Sequence, residues 1–210
     1  MNRKLISKSN YILKKVLNKE ENIDILQDII ESIIGIEISK IKIKPYLEKM
    51  SKYLPSEENF GIVDVRIKTK DGQELNVGMQ IIDGYYVQNK ILLYYAQIHG
   101  NQLEYDDEEI VKTITINILD FEYFKTEECH KIIKIREATH SIELDGLELH
   151  VLELPKFKKK LSKIETKEDG WLAYLEGSDK EKIKKAKEKN EKIRKLDEVL
   201  EEYWENEKME

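Results

Sequence analysis

The sequence predicts an α/β fold, a mixed sheet flanked by helices. Three observations predict it. Apolar residues recur at helical spacing near the N-terminus and again over residues 85–100. Several segments between and after these alternate with a period of two, as half-buried strands do. Beyond Pro155 the chain turns to Lys and Glu with sparse apolar anchors, the pattern of surface helices.

Residues 9–34 read as helical. Leu13, Val16 and Leu17 form one apolar patch, and a polar break follows over Asn18 to Asn22. Ile23, Leu26, Ile30, Ile33 and Ile34 then repeat at helical spacing, Ile29 widens the stripe, and Gly35 is a natural stop. "IEISKIKIKP" (36–45) alternates as a strand, and the stretch around Pro55 reads as a loop.

"DVRIKTKDGQELNVGMQ" (64–80) reads as a hairpin whose register is set by its turn. A two-residue turn at Asp71–Gly72 would set Val65 against Gly78 and Ile67 against Asn76, which wastes a buried face. A three-residue loop of Lys70, Asp71 and Gly72 does better, because Gly72 then takes the left-handed position such a loop needs. Val63 now faces Met79, Val65 faces Val77 and Ile67 faces Leu75. On the other side Arg66 faces Asn76, and Asp64 falls opposite Gly78.

Residues 85–100 read as a helix ended by Gly100, and 108–124 as a buried strand carrying Ile110, Ile114, Ile116, Ile118 and Leu119. Two further strands, 130–138 and 147–155, are expected to join through a turn at Asp145–Gly146. The tail reads as one or two amphipathic helices on the outside of the core. Its anchors are Trp171, Leu172, Tyr174, Leu175, Ile183, Ile193, Leu196, Val199, Leu200 and Trp204.

The 210 residues suit one domain with an appendage. Charged residues make up 37% of the chain against about 25% in average chains, so much of the charge must lie on solvated helices. The net charge of −6 gives no support to a nucleic-acid partner by itself. A single cysteine, Cys129, excludes a disulfide framework within the chain and fits a reducing compartment. No apolar h-region follows the basic N-terminus, and no stretch approaches the roughly 18 apolar residues of a membrane span. The expectation is a cytoplasmic protein with no membrane partner.

His99, His130, His140 and His150 show no metal-ligand spacing, and one cysteine cannot build a zinc site. Neighbours on a strand point to opposite faces, so Cys129–His130 is a poor nucleophile pair. Tyr94 and Tyr95 read as helix-packing residues rather than a base-stacking platform. Directly opposed strand residues have Cβ atoms about 4.5–5.5 Å apart, so two carboxylates at 64 and 78 could clamp one divalent cation. Gly78 leaves half of that clamp empty. On patterning alone, Asp64 also reads as a polar-face residue of an exposed hairpin.

Four stretches in order, "IVDVRIKTKDGQELNVGMQ", "LLYYAQIHGNQL", "ITINILDFEYF" and "LELHVLELPKF", carry a family resemblance. The chain resembles the recombination-promoting nuclease and transposase group of the PD-(D/E)XK nuclease superfamily. The resemblance implies a restriction-endonuclease-like core over residues 1–157, with 158–210 as a charged helical C-terminal extension. It implies a metal-dependent DNA endonuclease with Asp on the first hairpin strand and a Glu-x-Gln triplet on the next. Asp64 matches the first position. Gly78, Met79 and Gln80 occupy the triplet, so the glutamate is missing.

By the same resemblance, Asp64 and the Met79 carbonyl would be metal ligands, with Mg²⁺ or Mn²⁺ held weakly, and Gln80 would orient water or substrate. Glu31 stands where related nucleases often carry an acid and is a further candidate metal ligand, though it reads first as a solvent-facing helix residue. Lys90 is the nearest basic residue to an arginine usual before the Tyr-Tyr helix. Lys156, Lys158, Lys159 and Lys160 would contact the phosphate backbone of DNA, or form a solvated start to the tail. Two functions follow. One is a DNA endonuclease impaired by Gly78. The other is a non-catalytic DNA- or protein-binding relative that keeps the nuclease fold. A homo-oligomer is left open.

Overall fold

The computed structural model describes residues 13–44, 63–82, 86–103, 109–160 and 163–207. Residues 13–17 are helical, and a 3-10 turn at Glu20–Asn22 leads into α1, Ile23–Ile34. The polar break therefore does end one helical segment and start another. The loop expected around Pro55 lies outside the described residues.

The sheet has six strands: β1 (Ile38–Ile43), β2 (Val63–Thr69), β3 (Glu74–Ile82), β4 (Thr113–Leu119), β5 (His130–Arg136) and β6 (Glu143–Glu153), in the order β1-β2-β3-β4-β6-β5. β3, β4 and β6 run parallel at the centre, and antiparallel neighbours close both ends. This is the mixed α/β sheet the sequence predicts.

Both faces of the centre are covered, which is why β4 is buried at every position. α2 (Val87–Asn101) lies on one face, where Val87 and Ile91 pack with Ile82, Leu119, Leu149 and Val151. The other face carries the main core. Leu26, Ile29 and Ile30 of α1 meet Val65, Val77, Ile116 and Leu152 there.

Three expectations change. The strand over 108–124 shrinks to Thr113–Leu119, with Ile110 53% exposed before it. α2 continues through Gly100 to Asn101, and Gly100 has no left-handed backbone to stop it. The β5–β6 turn lies at residues 137–142 rather than at Asp145–Gly146. There the Glu137 carboxylate accepts the N–H groups of Thr139 and His140, both at 2.6 Å, while the Glu137 N–H donates to the Ile142 carbonyl at 2.8 Å. Gly146 marks a bulge instead. Lys134 pairs with Glu148 but Ile135 pairs with Leu144, so residues 145–147 are extra on β6.

Among the described residues the charged tail forms four helices: α3 (Leu154–Lys160), α4 (Lys167–Glu176), α5 (Lys180–Lys189) and α6 (Glu191–Glu207). They are not outside the core. Trp171, Tyr174, Ile193, Leu196 and Leu200 belong to the same hydrophobic cluster as the sheet. Asp28 of α1 ties them in. It is buried, and its carboxylate accepts from Trp171 Nε1 at 2.8 Å, Asn190 Nδ2 at 2.7 Å and Lys167 Nζ at 2.8 Å. The high charge of the tail is met by its outer faces, which still carry exposed Lys and Glu. Among the described residues, no helix is long and apolar enough to cross a membrane.

Candidate functional site

The hairpin β2–β3 has the register its alternation requires: Val63 opposite Met79, Asp64 opposite Gly78, Val65 opposite Val77, Arg66 opposite Asn76 and Ile67 opposite Leu75. Gly72 takes the left-handed position at φ 95°, and its N–H donates to the Thr69 carbonyl. Asp64, Gly78 and Gln80 thus share one face. That face is not an exposed one. β3 is buried from Leu75 to Ile82, and α2 lies over it.

Beneath α2 the polar side chains bond to main-chain carbonyls and to one another, while Asn76 Oδ1 is buried with no hydrogen-bond partner among the described residues. Asn76 Nδ2 donates to the Ile98 carbonyl at 3.3 Å. The Tyr94 hydroxyl lies 2.8 Å from the Val63 carbonyl oxygen and 2.9 Å from that of Met79, and its one proton serves both. Gln80 is buried and donates to Asn117 Oδ1 at 2.6 Å. Asn117 Nδ2 in turn donates to Thr115 Oγ1 at 3.0 Å and to the His150 carbonyl at 3.1 Å. Gly78 faces the helix itself, for a Cβ built there would overlap Ile98 Cδ1 and fall 2.9 Å from the Tyr94 hydroxyl oxygen. Asp64 is half-buried, and its main-chain carbonyl accepts the Lys44 N–H at 2.9 Å.

Glu31 is not brought to this face. Its carboxylate accepts the Ile38 N–H at 2.7 Å and Gln27 Nε2 at 3.0 Å, which anchors the start of β1 to α1. Ile38 pairs with Thr69, five positions from Asp64, or roughly 16 Å along a strand. Lys90 sits in the first turn of α2, its N–H donating to the Tyr86 carbonyl at 2.9 Å.

In the basic run after β6, Lys158 and Lys159 are exposed as a solvated start requires, and Lys156 departs from it. Lys156 is 5% exposed, and its ammonium donates to Glu153 at 2.7 Å and to the Phe124 carbonyl at 2.6 Å. Glu153 is buried too, and accepts the N–H groups of Tyr123 and Phe124, so the pair staples the 120–129 segment to the end of β6. A buried ammonium needs such a partner. Lys158 pairs with Glu176 at 3.7 Å and Lys159 with Glu122 at 2.5 Å. The Lys160 side chain lies outside the described residues.

Sequence reasoning treats the histidines as scattered, but two of them meet. His130 Nε2 lies 2.9 Å from His150 Nδ1, and His150 Nε2 lies 2.8 Å from Glu148. At the outer end His130 Nδ1 is 2.6 Å from Glu168, and at the inner end Lys112 Nζ is 3.0 Å from Glu148. Burial alone would raise the Glu148 carboxyl, but hydrogen bonds from His150 and Lys112 more than offset it and bring it down to about 2. Burial is also the main force on His150 and holds it below the ordinary imidazole value, against the pull of Glu148. The signal was present in the pairing: Ile132 faces His150, so His130 stands on the same face, diagonal to it. Among the described residues, no group of three or more His, Cys, Asp or Glu side chains is arranged to hold a metal ion.

A family model described as PD-(D/E)XK nuclease family transposase matches residues 7–210. The chain belongs to this family. The fold of this PD-(D/E)XK nuclease family transposase is accordingly restriction-endonuclease-like, and the match runs through α3–α6 as well as the sheet. No curated protein and no solved structure matches it.

Proposed function

We propose that this PD-(D/E)XK nuclease family transposase is directed at DNA and is impaired in cleavage. One observation carries the reading: the residue opposite Asp64 is Gly78, which has no carboxylate to offer. A divalent ion held by such a pair would offset charge on the scissile phosphate and lower the pKa of the attacking water. The groups at hand do not fit that ion. Asp64 supplies one acid, the Met79 carbonyl is engaged by Tyr94, and Gln80 is neutral and held by Asn117. Mg²⁺ demands near-ideal octahedral oxygen geometry and dehydrates reluctantly, so the expectation is weak binding of Mg²⁺ or Mn²⁺.

The test is incubation with supercoiled plasmid in Mg²⁺ or Mn²⁺. The expected result is no cleavage above background, with metal-free DNA affinity that falls steeply as salt rises. Cleavage that disappears in Asp64→Ala overturns the reading. Absence of any DNA affinity at low salt removes DNA as the partner.

A further inference from the structure

Gly78 leaves room that something else has taken. The space where a side chain's first carbon would stand holds the δ-methyl of Ile98 on one side and the phenol of Tyr94 on the other. Both are buried. Ile98 is 2% exposed, and its own carbonyl is hydrogen-bonded by Asn76 beneath it, which fixes its main chain while Cδ1 stands at the far end of the side chain. Tyr94 is buried, with its hydroxyl set between the carbonyl oxygens of Val63 and Met79. That hydroxyl donates into the Val63–Met79 pair at the end of the β2–β3 ladder.

We propose that α2 has taken over the slot of the missing acid. The Ile98 δ-methyl fills the place of its stem, and the Tyr94 hydroxyl stands on the other side, so position 98 sets the tightest limit on a side chain at position 78. The metal arm of this proposal rests on the reading of Gly78 given above; the steric arm does not. A glutamate placed at 78 meets Ile98 before it can turn its carboxylate toward Asp64. Ile98→Val removes Cδ1 and leaves the rest of the helix face as it is. The acid and its slot therefore have to be restored together.

The experiment is a thermal-melting cycle on the full chain with Gly78→Ala, Ile98→Val and the double variant. Gly78→Ala should lower Tm by about 5 °C through overpacking, and Ile98→Val by about 3 °C. The double variant should lose less than the two single variants together, since removing Cδ1 relieves the tighter contact while the Tyr94 hydroxyl oxygen still stands 2.9 Å from the new methyl. Losses that add, or a Gly78→Ala protein that melts like wild type, overturn the steric lock. Calorimetric titration with Mn²⁺ supplies the second arm. Gly78→Glu with Ile98→Val should bind at least about tenfold more tightly than Gly78→Glu alone, a difference of one decade in Kd. Equal affinities overturn the metal arm. Asp64-dependent cleavage by the wild type would defeat the functional reading while leaving the melting cycle intact, and additive melts would do the reverse.

Discussion

Replacing Asp28 with alanine tests whether the tail helices are part of the core. The carboxylate joins α1 to Trp171 and Lys167 of α4 and to Asn190 at the end of α5. Trp171 is 0% exposed and Asn190 9%, so their donors have little water to turn to. Each buried donor left unsatisfied costs about 1–3 kcal/mol. The Lys167 side chain is 66% exposed and regains water, so its ion pair adds little. Asp28→Ala should therefore cost about 2–6 kcal/mol, or about 4–24 °C in Tm for a chain of this length. Burial alone would raise the Asp28 carboxyl, but hydrogen bonds from Asn190, Lys167 and Trp171 outweigh it and hold it below the ordinary carboxylate value. A carboxyl depressed in the folded state stabilises above its unfolded pKa and loses that contribution as pH falls through the folded value. The gap between wild type and Asp28→Asn should accordingly be full at neutral pH and narrow below about pH 4. Differential scanning calorimetry across pH 3–7 reads both effects. An Asp28→Ala protein melting within about 2 °C of wild type at pH 7 would refute the claim that this carboxylate holds the tail in place.

Two further outcomes follow from the buried charges. Lys156→Ala removes the nearer cation of the buried Glu153 carboxylate and leaves the Lys131 ammonium 3.8 Å away, so the cost should reach at most about 3–5 kcal/mol. Hydrogen exchange should then accelerate first at the Tyr123 and Phe124 amides that Glu153 accepts. Glu148, brought down to about 2 in the folded state, contributes stability above the ordinary carboxylate pKa and loses it as pH falls toward 2. Glu148→Gln should flatten the acid limb of the stability curve, as measured by urea unfolding at a series of pH values.

The hairpin was legible because two local rules agreed. The alternation of Val63, Val65 and Ile67 had to meet that of Leu75, Val77 and Met79, and Gly72 fitted only one loop length that allowed it. Gly146 misled for a related reason. Asp-Gly is an ordinary turn signal, yet here it sits inside β6, and the turn is made by the Glu137 side chain capturing two backbone N–H groups. The cover over the site was not legible. Period-two patterning tells which residues share a face but not what lies on it, so a polar face buried under α2 read as a solvated one. Nor could spacing show that Asp28 meets partners 139 to 162 residues away. The tail's low apolar content hid the fact that its few anchors are spent on the main core.

The packing of α4 and α6 against α1 has a consequence for synthesis. During translation, α1 and all six strands leave the ribosome before Trp171, Leu196 and Leu200 exist to lie against them. Until then the part of α1 and of the sheet that these residues cover is open to water, to chaperones and to other nascent chains. A stop codon between β6 and α4 would yield an unfinished body with a sticky face, a substrate for proteolysis rather than a smaller working protein.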